Sequence, residues 1–405
     1  MTRRRSLTAT LAFFALAIVL RKFLPESAAW IFAYLSFAAG FAFLTAFARG
    51  NTAKILCLCI MSVLLSFSVF ETYLRLTDDQ QQVQWIKAPI EVIRQERNMP
   101  ELQPVRSNLI AHDPVLGIRH KPGKMKTGDK VMLGDELVFN AVYTFLESGW
   151  RITPQNPDAK YAIVFFGCSF TYGEGLDDEE SIPYKLGNIL GKDYQVFNFA
   201  YTGYGAHHML AQIQNGFIDD IAKKYEKVVY FFLTIQGHAM RSAGYAVWDE
   251  HGPWYELENG QLVHKGRFPD KKRIFRPIDK FFRKSLAYKK LTAPKKSSQA
   301  AQDTLYMAIV AESDKKLREK SEAGLTVLVW PEAPYINALK ENNVKIIDLR
   351  ETFPNGTFSA EFQIPHDGHP NALATDIAAK ALTEYAEKVI EDKPQAGPPT
   401  IEDIP

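Results

Sequence analysis

Cysteine is scarce in this chain: three residues in 405, namely Cys57, Cys59 and Cys168. Two lie in one apolar run and the third is alone, so neither a disulfide framework nor a four-cysteine zinc site can be built. A charge excess is missing as well, because 48 Lys and Arg stand against 46 Asp and Glu, a formal net charge of +2. That balance excludes a chain that seeks polyanions through its overall charge. With 46% hydrophobic and 23% charged residues the composition suits a folded protein, neither disordered nor collagen-like. The length permits two or three domains, each with a full core. No internal repeat is apparent.

The apolar residues that are present are unevenly spread, with the first 76 residues far richer than the rest. Three runs follow one another and predict three transmembrane helices, 7–24, 28–48 and 55–76. The third reaches Leu76 if Glu71 and Arg75 extend to the membrane interface. A cleaved signal peptide would also explain the basic start of the first run. No small-x-small site precedes Arg21, however, and two further apolar runs follow. Arg3, Arg4, Arg5, Arg49 and Lys54 on one side outnumber Arg21, Lys22 and Arg75 on the other. This places the N-terminus in the cytoplasm and everything after residue 76 outside it, in the periplasm of a Gram-negative cell.

Residues 77–160 read as a mixed, turn-rich juxtamembrane region, punctuated at His112-Asp-Pro and Lys121-Pro-Gly. From Tyr161 the pattern changes. Short apolar runs at 162–166, 195–199, 228–234, 325–330 and 344–349 alternate with helical periodicity at 181–190, 303–323 and 371–389. Strands that are apolar throughout and separated by helices predict an α/β fold with a parallel sheet covered on both faces. Ligands of such sheets sit beyond the carboxyl ends of the strands.

Two of those ends carry a recognisable chemistry. After the first strand stands Gly167-Cys-Ser169-Phe-Thr-Tyr-Gly173-Glu-Gly175. A serine there, beside glycines that permit a tight turn, exposes its hydroxyl at the sheet edge. It is not the G-x-S-x-G elbow, because Thr171 stands where that motif needs glycine. Near the C-terminus stands Asp367-Gly-His369-Pro-Asn371. A histidine is the usual base for a serine, and an Asp two residues earlier can fix its tautomer.

In that order the motifs resemble the SGNH/GDSL hydrolase family, over roughly residues 161–390. Phe166-Gly-Cys-Ser169-Phe-Thr-Tyr-Gly-Glu-Gly-Leu176 is similar to its first block, with Cys168 replacing the usual Asp. Asn198-Phe-Ala-Tyr-Thr-Gly203 is similar to the second, and Asp367-Gly-His369-Pro-Asn to the last. The resemblance implies a flavodoxin-like three-layer α/β/α domain and transfer or hydrolysis of ester-linked acyl groups without metal or cofactor. Ser169 would be nucleophile, His369 base and Asp367 its orienter, with the Ser169 and Gly203 N–H groups as oxyanion hole. One block departs: at Leu233-Thr-Ile-Gln-Gly-His238 the family's Asn is missing. Gln236, Gly237 or His238 must substitute, with His238 the favoured donor, or the hole has fewer donors and turnover is slow. Arg241 could orient an acidic substrate or form a surface ion pair.

Within the 161–390 domain an insert, 242–302, opens with Tyr245, Trp248, Trp254 and Tyr255 and then turns basic. From Lys265 to Lys296 it holds 13 Lys or Arg against two Asp. Aromatic faces suit sugar rings, and the basic stretch suits anionic glycans or lipid headgroups. A solvated loop with one amphipathic helix, 278–291, explains it equally. Nucleic acid is not expected outside the cytoplasm. The tail, 391–405, is Pro-rich and reads as disordered. Together these features predict a serine esterase or O-acyltransferase anchored in the inner membrane, acting on an acylated envelope glycan or lipid. The alternative, motivated by the missing Asn, is an SGNH-fold envelope binding protein without turnover.

Overall fold

The computed structural model describes residues 10–13, 15, 16, 19, 26–48, 50–77, 85–103, 110–246, 248–268, 285, 287 and 297–391. Most of the first expected span, much of the basic stretch with its expected helix, and the tail from 392 lie outside these residues. The chain divides into two compact units, residues 1–83 with 272–295, and residues 84–271 with 296–405.

The first unit contains helices α1 (Glu26–Phe47) and α2 (Asn51–Thr77). Among the described residues α2 is long and apolar enough to cross a membrane, and Ala29–Ala42 within α1 forms a shorter apolar helix. Trp30, Ala33 and Tyr34 pack with Leu64 and Phe67 between the two. Glu71 does not extend outward as the sequence suggests, for its side chain is fully buried. It pairs with Arg75 one turn on at 2.7 Å, and it accepts from the Ser285 hydroxyl and the Ala287 N–H, both at 2.8 Å. Since Ser285 spends its proton on Glu71, Tyr34 donates to the Ser285 oxygen at 2.8 Å. A piece of the basic stretch therefore belongs to the first unit, 214 residues away in sequence from the carboxylate that holds it.

The second unit opens with β1 (Trp85–Lys87), α3 (Ile90–Glu96), the pair β2 (Ile110–Asp113) and β3 (Gly117–His120), and a long hairpin of β4 (Met125–Leu133) and β5 (Glu136–Phe145). β1, β4 and β5 make an antiparallel sheet. The alternating part follows: β6 (Tyr161–Phe166), α4 (Ser169–Tyr172), α5 (Ile182–Leu190), β7 (Tyr194–Asn198), α6 (Ala206–Gln214), α7 (Asp219–Lys224), β8 (Lys227–Thr234) and α8 (His238–Ser242). A hairpin of β9 (Pro253–Glu258) and β10 (Gln261–Arg267) occupies the start of the expected insert. Then come α9 (Gln299–Arg318), β11 (Leu325–Val329), α10 (Ile336–Glu341), β12 (Lys345–Asp348) and α11 (Ala372–Glu391).

All five expected strands form one parallel sheet in the order β7-β6-β8-β11-β12. Counted along the chain this is 2-1-3-4-5, the flavodoxin-like order. Alternation along each strand explains why it is apolar throughout. Ala162, Val164 and Phe166 of β6 face α6 and α9, with Met209, Ile309 and Val310 in the same core. Ile163 and Phe165 face the other way, into a core with Leu186 of α5 and Ala378 and Leu382 of α11. The three layers follow, and the loops after β6, β7 and β8 emerge at one edge.

Glu71→Ala removes the acceptor of three donors at a buried ion pair. The full-length protein in detergent should lose about 3 kcal/mol of stability, read as a lowered unfolding temperature. An unchanged transition would contradict this role for the carboxylate.

Candidate active site

The loop after β6 is shaped by its glycines. Gly167 has φ +158°, and a Cβ there would lie 2.2 Å from Thr171 Oγ1, so only glycine lets α4 start so close to the strand. Ser169 is the first residue of that short helix and is 5% exposed. Beyond it, Gly173 and Gly175 both take positive φ and turn the chain sharply around Glu174. Cys168, just before the serine, is fully buried.

This turn is held from below by Arg151, whose side chain is sealed from solvent. Its Nη1 donates to the carbonyls of Tyr172 (2.7 Å) and Gly173 (2.6 Å), and its Nη2 to that of Leu176 (2.7 Å). Nε donates to Asp178 at 3.1 Å, and the guanidinium lies over the rings of Tyr143 and Tyr172. A carboxylate, three carbonyls and two aromatic faces together offset the cost of burying that charge. Its backbone bridges Phe145 of β5 to Asn198 at the end of β7, joining the antiparallel sheet to the parallel one.

Ser169 and His369 meet across 200 residues of sequence: His369 Nε2 is 2.8 Å from Ser169 Oγ. On the other side of the ring Asp367 Oδ1 bonds Nδ1, and it also accepts the His369 backbone N–H at 3.2 Å. Nδ1–H thus points at the carboxylate, which leaves the Nε2 lone pair facing the serine proton. Burial opposes charge on His369, but Asp367 and Glu174 outweigh it and hold its pKa above 6.5. Burial likewise opposes the Asp367 carboxylate, and the bond from His369 outweighs it and lowers that pKa. His366, the neighbouring imidazole, turns away to Glu136 at 2.9 Å.

Gly203 lies in the loop after β7 with φ +84°, and a Cβ there would strike Trp248 at 2.6 Å. Trp248 Nε1 donates to the Gly203 carbonyl at 3.3 Å. Among the described residues neither the Ser169 nor the Gly203 N–H donates a hydrogen bond, so both remain available to an oxyanion. Asn198 ties the two loops together: its amide donates to the Thr171 carbonyl and accepts from the Ala200 N–H.

The structure does not bring His238 to this group. Its ring is fully buried and stacked on Phe232, with Nδ1 3.3 Å from Thr234 Oγ1. Burial, reinforced by Arg241, keeps it neutral. No hydrogen bond among the described residues joins it to Ser169, Gly203 or His369. Arg241 is engaged in holding the second loop: Nη1 donates to the Tyr204 carbonyl at 2.9 Å, and the guanidinium lies over Trp248.

Three groups of metal-ligand type also converge near this loop, His207, His208 and Asp249, with their ligand atoms within 4.8 Å of one another. The hydrogen bonds tie His207 to Asp249 and His208 to the Gly205 N–H, while His207 Nδ1 and His208 Nε2 make none among the described residues. Burial and the neighbouring His208 push His207 down to about 4, so the neutral ring donates Nε2–H to Asp249 Oδ2 at 2.6 Å. Gly205 N–H donates to His208 Nδ1, which places the His208 proton on Nε2, 3.4 Å from Asp249 Oδ1, and leaves no lone pair there for a metal. The set fixes the Trp248–Asp249 segment over Gly203.

Sequence reasoning did not find Arg151, Glu174 or the His207–His208–Asp249 set. The glycines around Glu174 were a local signal that its side chain is held in place. Arg151 left no local signal, since its partners lie 21 to 27 residues away.

Fold and site together define a doubly wound α/β protein with a Ser–His–Asp arrangement at the carboxyl edge of its sheet. No protein-family model matches the chain, and no curated protein matches it. Among solved structures it is similar to a putative lipolytic protein of the G-D-S-L family from Desulfitobacterium hafniense, at 14% identity and TM-score 0.28, over 56% of this chain and 98% of that one. It is also similar to a G-D-S-L lipolytic protein from Veillonella parvula, at 12% identity and TM-score 0.32, covering 56% and 98%. A lipase/acylhydrolase from Enterococcus faecalis overlaps at 13% identity and TM-score 0.30, covering 58% and 100%. At such scores the overlap decides nothing by itself, and the chemistry is read from the geometry.

Arg151→Ala leaves three carbonyls and Asp178 without their cation. It should cost about 3–5 kcal/mol in denaturant unfolding of the purified protein. A loss under 1 kcal/mol would show that the turn after Ser169 holds itself.

Proposed function

We propose that this protein is a serine esterase or O-acyltransferase, anchored in the inner membrane with its α/β unit outside the cytoplasm, and that it acts on acyl esters of an envelope glycan or lipid. The observation that carries the reading is the 2.8 Å contact between Ser169 Oγ and His369 Nε2, with Asp367 on the far side of the ring. Ser169 attacks the acyl carbonyl while His369 takes its proton. Asp367 holds the tautomer and stabilises the imidazolium that forms. The Ser169 and Gly203 N–H groups receive the developing oxyanion. His369 then returns the proton to the departing alcohol, and water or a second hydroxyl takes the acyl group from Ser169. The apolar helix α2 supports membrane attachment, and the basic stretch 265–296 suits anionic headgroups or glycans at the membrane surface.

A hole without the third donor is weaker, since one lost donor costs about 10²–10³ in kcat. Turnover is therefore slow. Labelling with a fluorophosphonate, located by peptide mass spectrometry, should modify Ser169. Ser169→Ala and His369→Ala should each abolish turnover of p-nitrophenyl acetate, and the double variant should lose almost nothing more. Additive partial losses would contradict the shared mechanism.

His369 works as a base only when neutral, so kcat/KM rises as pH climbs through its raised pKa. The acid limb should therefore lie above 6.5. Asp367→Asn removes the partner that raises this pKa and should move the limb to lower pH while lowering the plateau. A limb that stays in place would separate Asp367 from the base.

A further inference from the structure

Beyond helping to raise the His369 pKa, Glu174 has no role in the chemistry above, yet its carboxylate stands 3.8 Å from His369 Nε2, the nitrogen that serves Ser169. The backbone fixes it there. Its N–H is spent on the Ser169 carbonyl at 3.0 Å, and glycines at positive φ flank it. Neither glycine can be replaced freely, because a Cβ on Gly173 would meet Arg151 Nη1 at 2.8 Å and one on Gly175 would meet Ile364 at 2.5 Å. From the second loop, Thr202 Oγ1 donates to Glu174 Oε2 at 2.9 Å. The other oxygen, Oε1, accepts no hydrogen bond among the described residues, and the side chain is 29% exposed. The oxygen 3.8 Å from Nε2 is Oε2, the one Thr202 fixes, so a held carboxylate with its second oxygen unbonded stands beside the nitrogen where His369 exchanges protons with an alcohol.

We propose that Glu174, positioned by Thr202, forms the subsite for the alcohol side of the ester and selects an alcohol that carries a further hydroxyl beside the acylated one. This deepens the proposed function and rests on it. Two partners meet at His369 Nε2 in each half-reaction. In acylation the Ser169 Oγ–acyl bond forms, the bond from the acyl carbon to the alcohol oxygen breaks, and the proton from Ser169 leaves on that oxygen through His369. In deacylation the same path runs backwards with the incoming hydroxyl. Glu174 gains no proton in either step. The carboxylate accepts a hydrogen bond from the neighbouring hydroxyl and so aligns the reacting oxygen with Nε2. A carboxylate acceptor is suited to that task, since bonds to charged groups are the stronger kind. Its charge also disfavours an anionic group at this end of the ester, while Arg241 lies on the Trp248 side. The alcohol is therefore a neutral polyol, a sugar or a glycerol unit.

The test compares full-length wild type, Glu174→Gln and Thr202→Val on three acetates: glycerol monoacetate, methyl 3-O-acetylglucoside and ethyl acetate. Wild type should favour at least one hydroxylated ester over ethyl acetate by tenfold or more in kcat/KM, and the better of the two identifies glycerol or sugar as the source. Glu174→Gln should cut that preference at least fivefold, and Thr202→Val should cut it by less. The acid limb of Glu174→Gln should also move to lower pH, a shift that a purely structural loss would not produce. An active wild type without the preference, or a variant that keeps it, overturns the subsite while leaving the esterase reading intact. A wild type that neither turns over any acetate nor labels at Ser169 overturns both.

Discussion

The guanidinium of Arg151, closed off from solvent, binds the carbonyls of Tyr172, Gly173 and Leu176 and the carboxylate of Asp178. Those carbonyls line the turn that begins three residues after Ser169, so the path of the Ser169 loop depends on a cation supplied from the segment that bridges the two sheets. Burying a charge is unfavourable unless every donor finds an acceptor. Here the backbone supplies most of them, and the arrangement tolerates little movement. The same turn carries Glu174 toward His369, and the Arg151 backbone locks the end of β7 from which the Gly203 loop departs.

A parallel sheet explains how distant segments reach one point. Each strand ends at the same edge, so the loops after β6 and β7 and the segment before α11 converge there, although Ser169 and His369 lie 200 residues apart. The two loops are then tied to each other through Asn198 and, at the surface, through Thr202 and Glu174. The second loop is further clamped from above, where Trp248 covers Gly203 and Asp249 holds His207 and His208. Such support suits the role proposed for Ser169, because misplacement of a reacting group by about 1 Å can cost on the order of 10² in rate.

Much of this was legible in the sequence where the cause is local. Strands buried on both faces, such as Ala162–Phe166, show as unbroken apolar runs, and all five expected strands join one parallel sheet. Ser169 sits in a glycine-rich turn and Asp367 lies two residues from His369, and those residues stood out through their order along the chain together with the SGNH/GDSL blocks they resemble. The rest depends on pairing across the fold. The partners of Arg151 are 21 to 27 residues away, and Glu71 finds Ser285 across 214. Residues 77–160 read as turn-rich, because the hairpin of β4 and β5 mixes polar and apolar positions on a half-buried sheet. His238 looked like a donor from its place after β8, but the helix that starts there turns its ring into the core.

The most direct test of the account is a crystal structure of the protein after reaction with a phosphonate ester. The account predicts phosphorus bonded to Ser169 Oγ, with its free oxygen about 2.7–3.1 Å from both the Ser169 and Gly203 N–H nitrogens and His369 still paired with Asp367. Phosphorus on another side chain, or an oxygen turned away from Gly203, would contradict it.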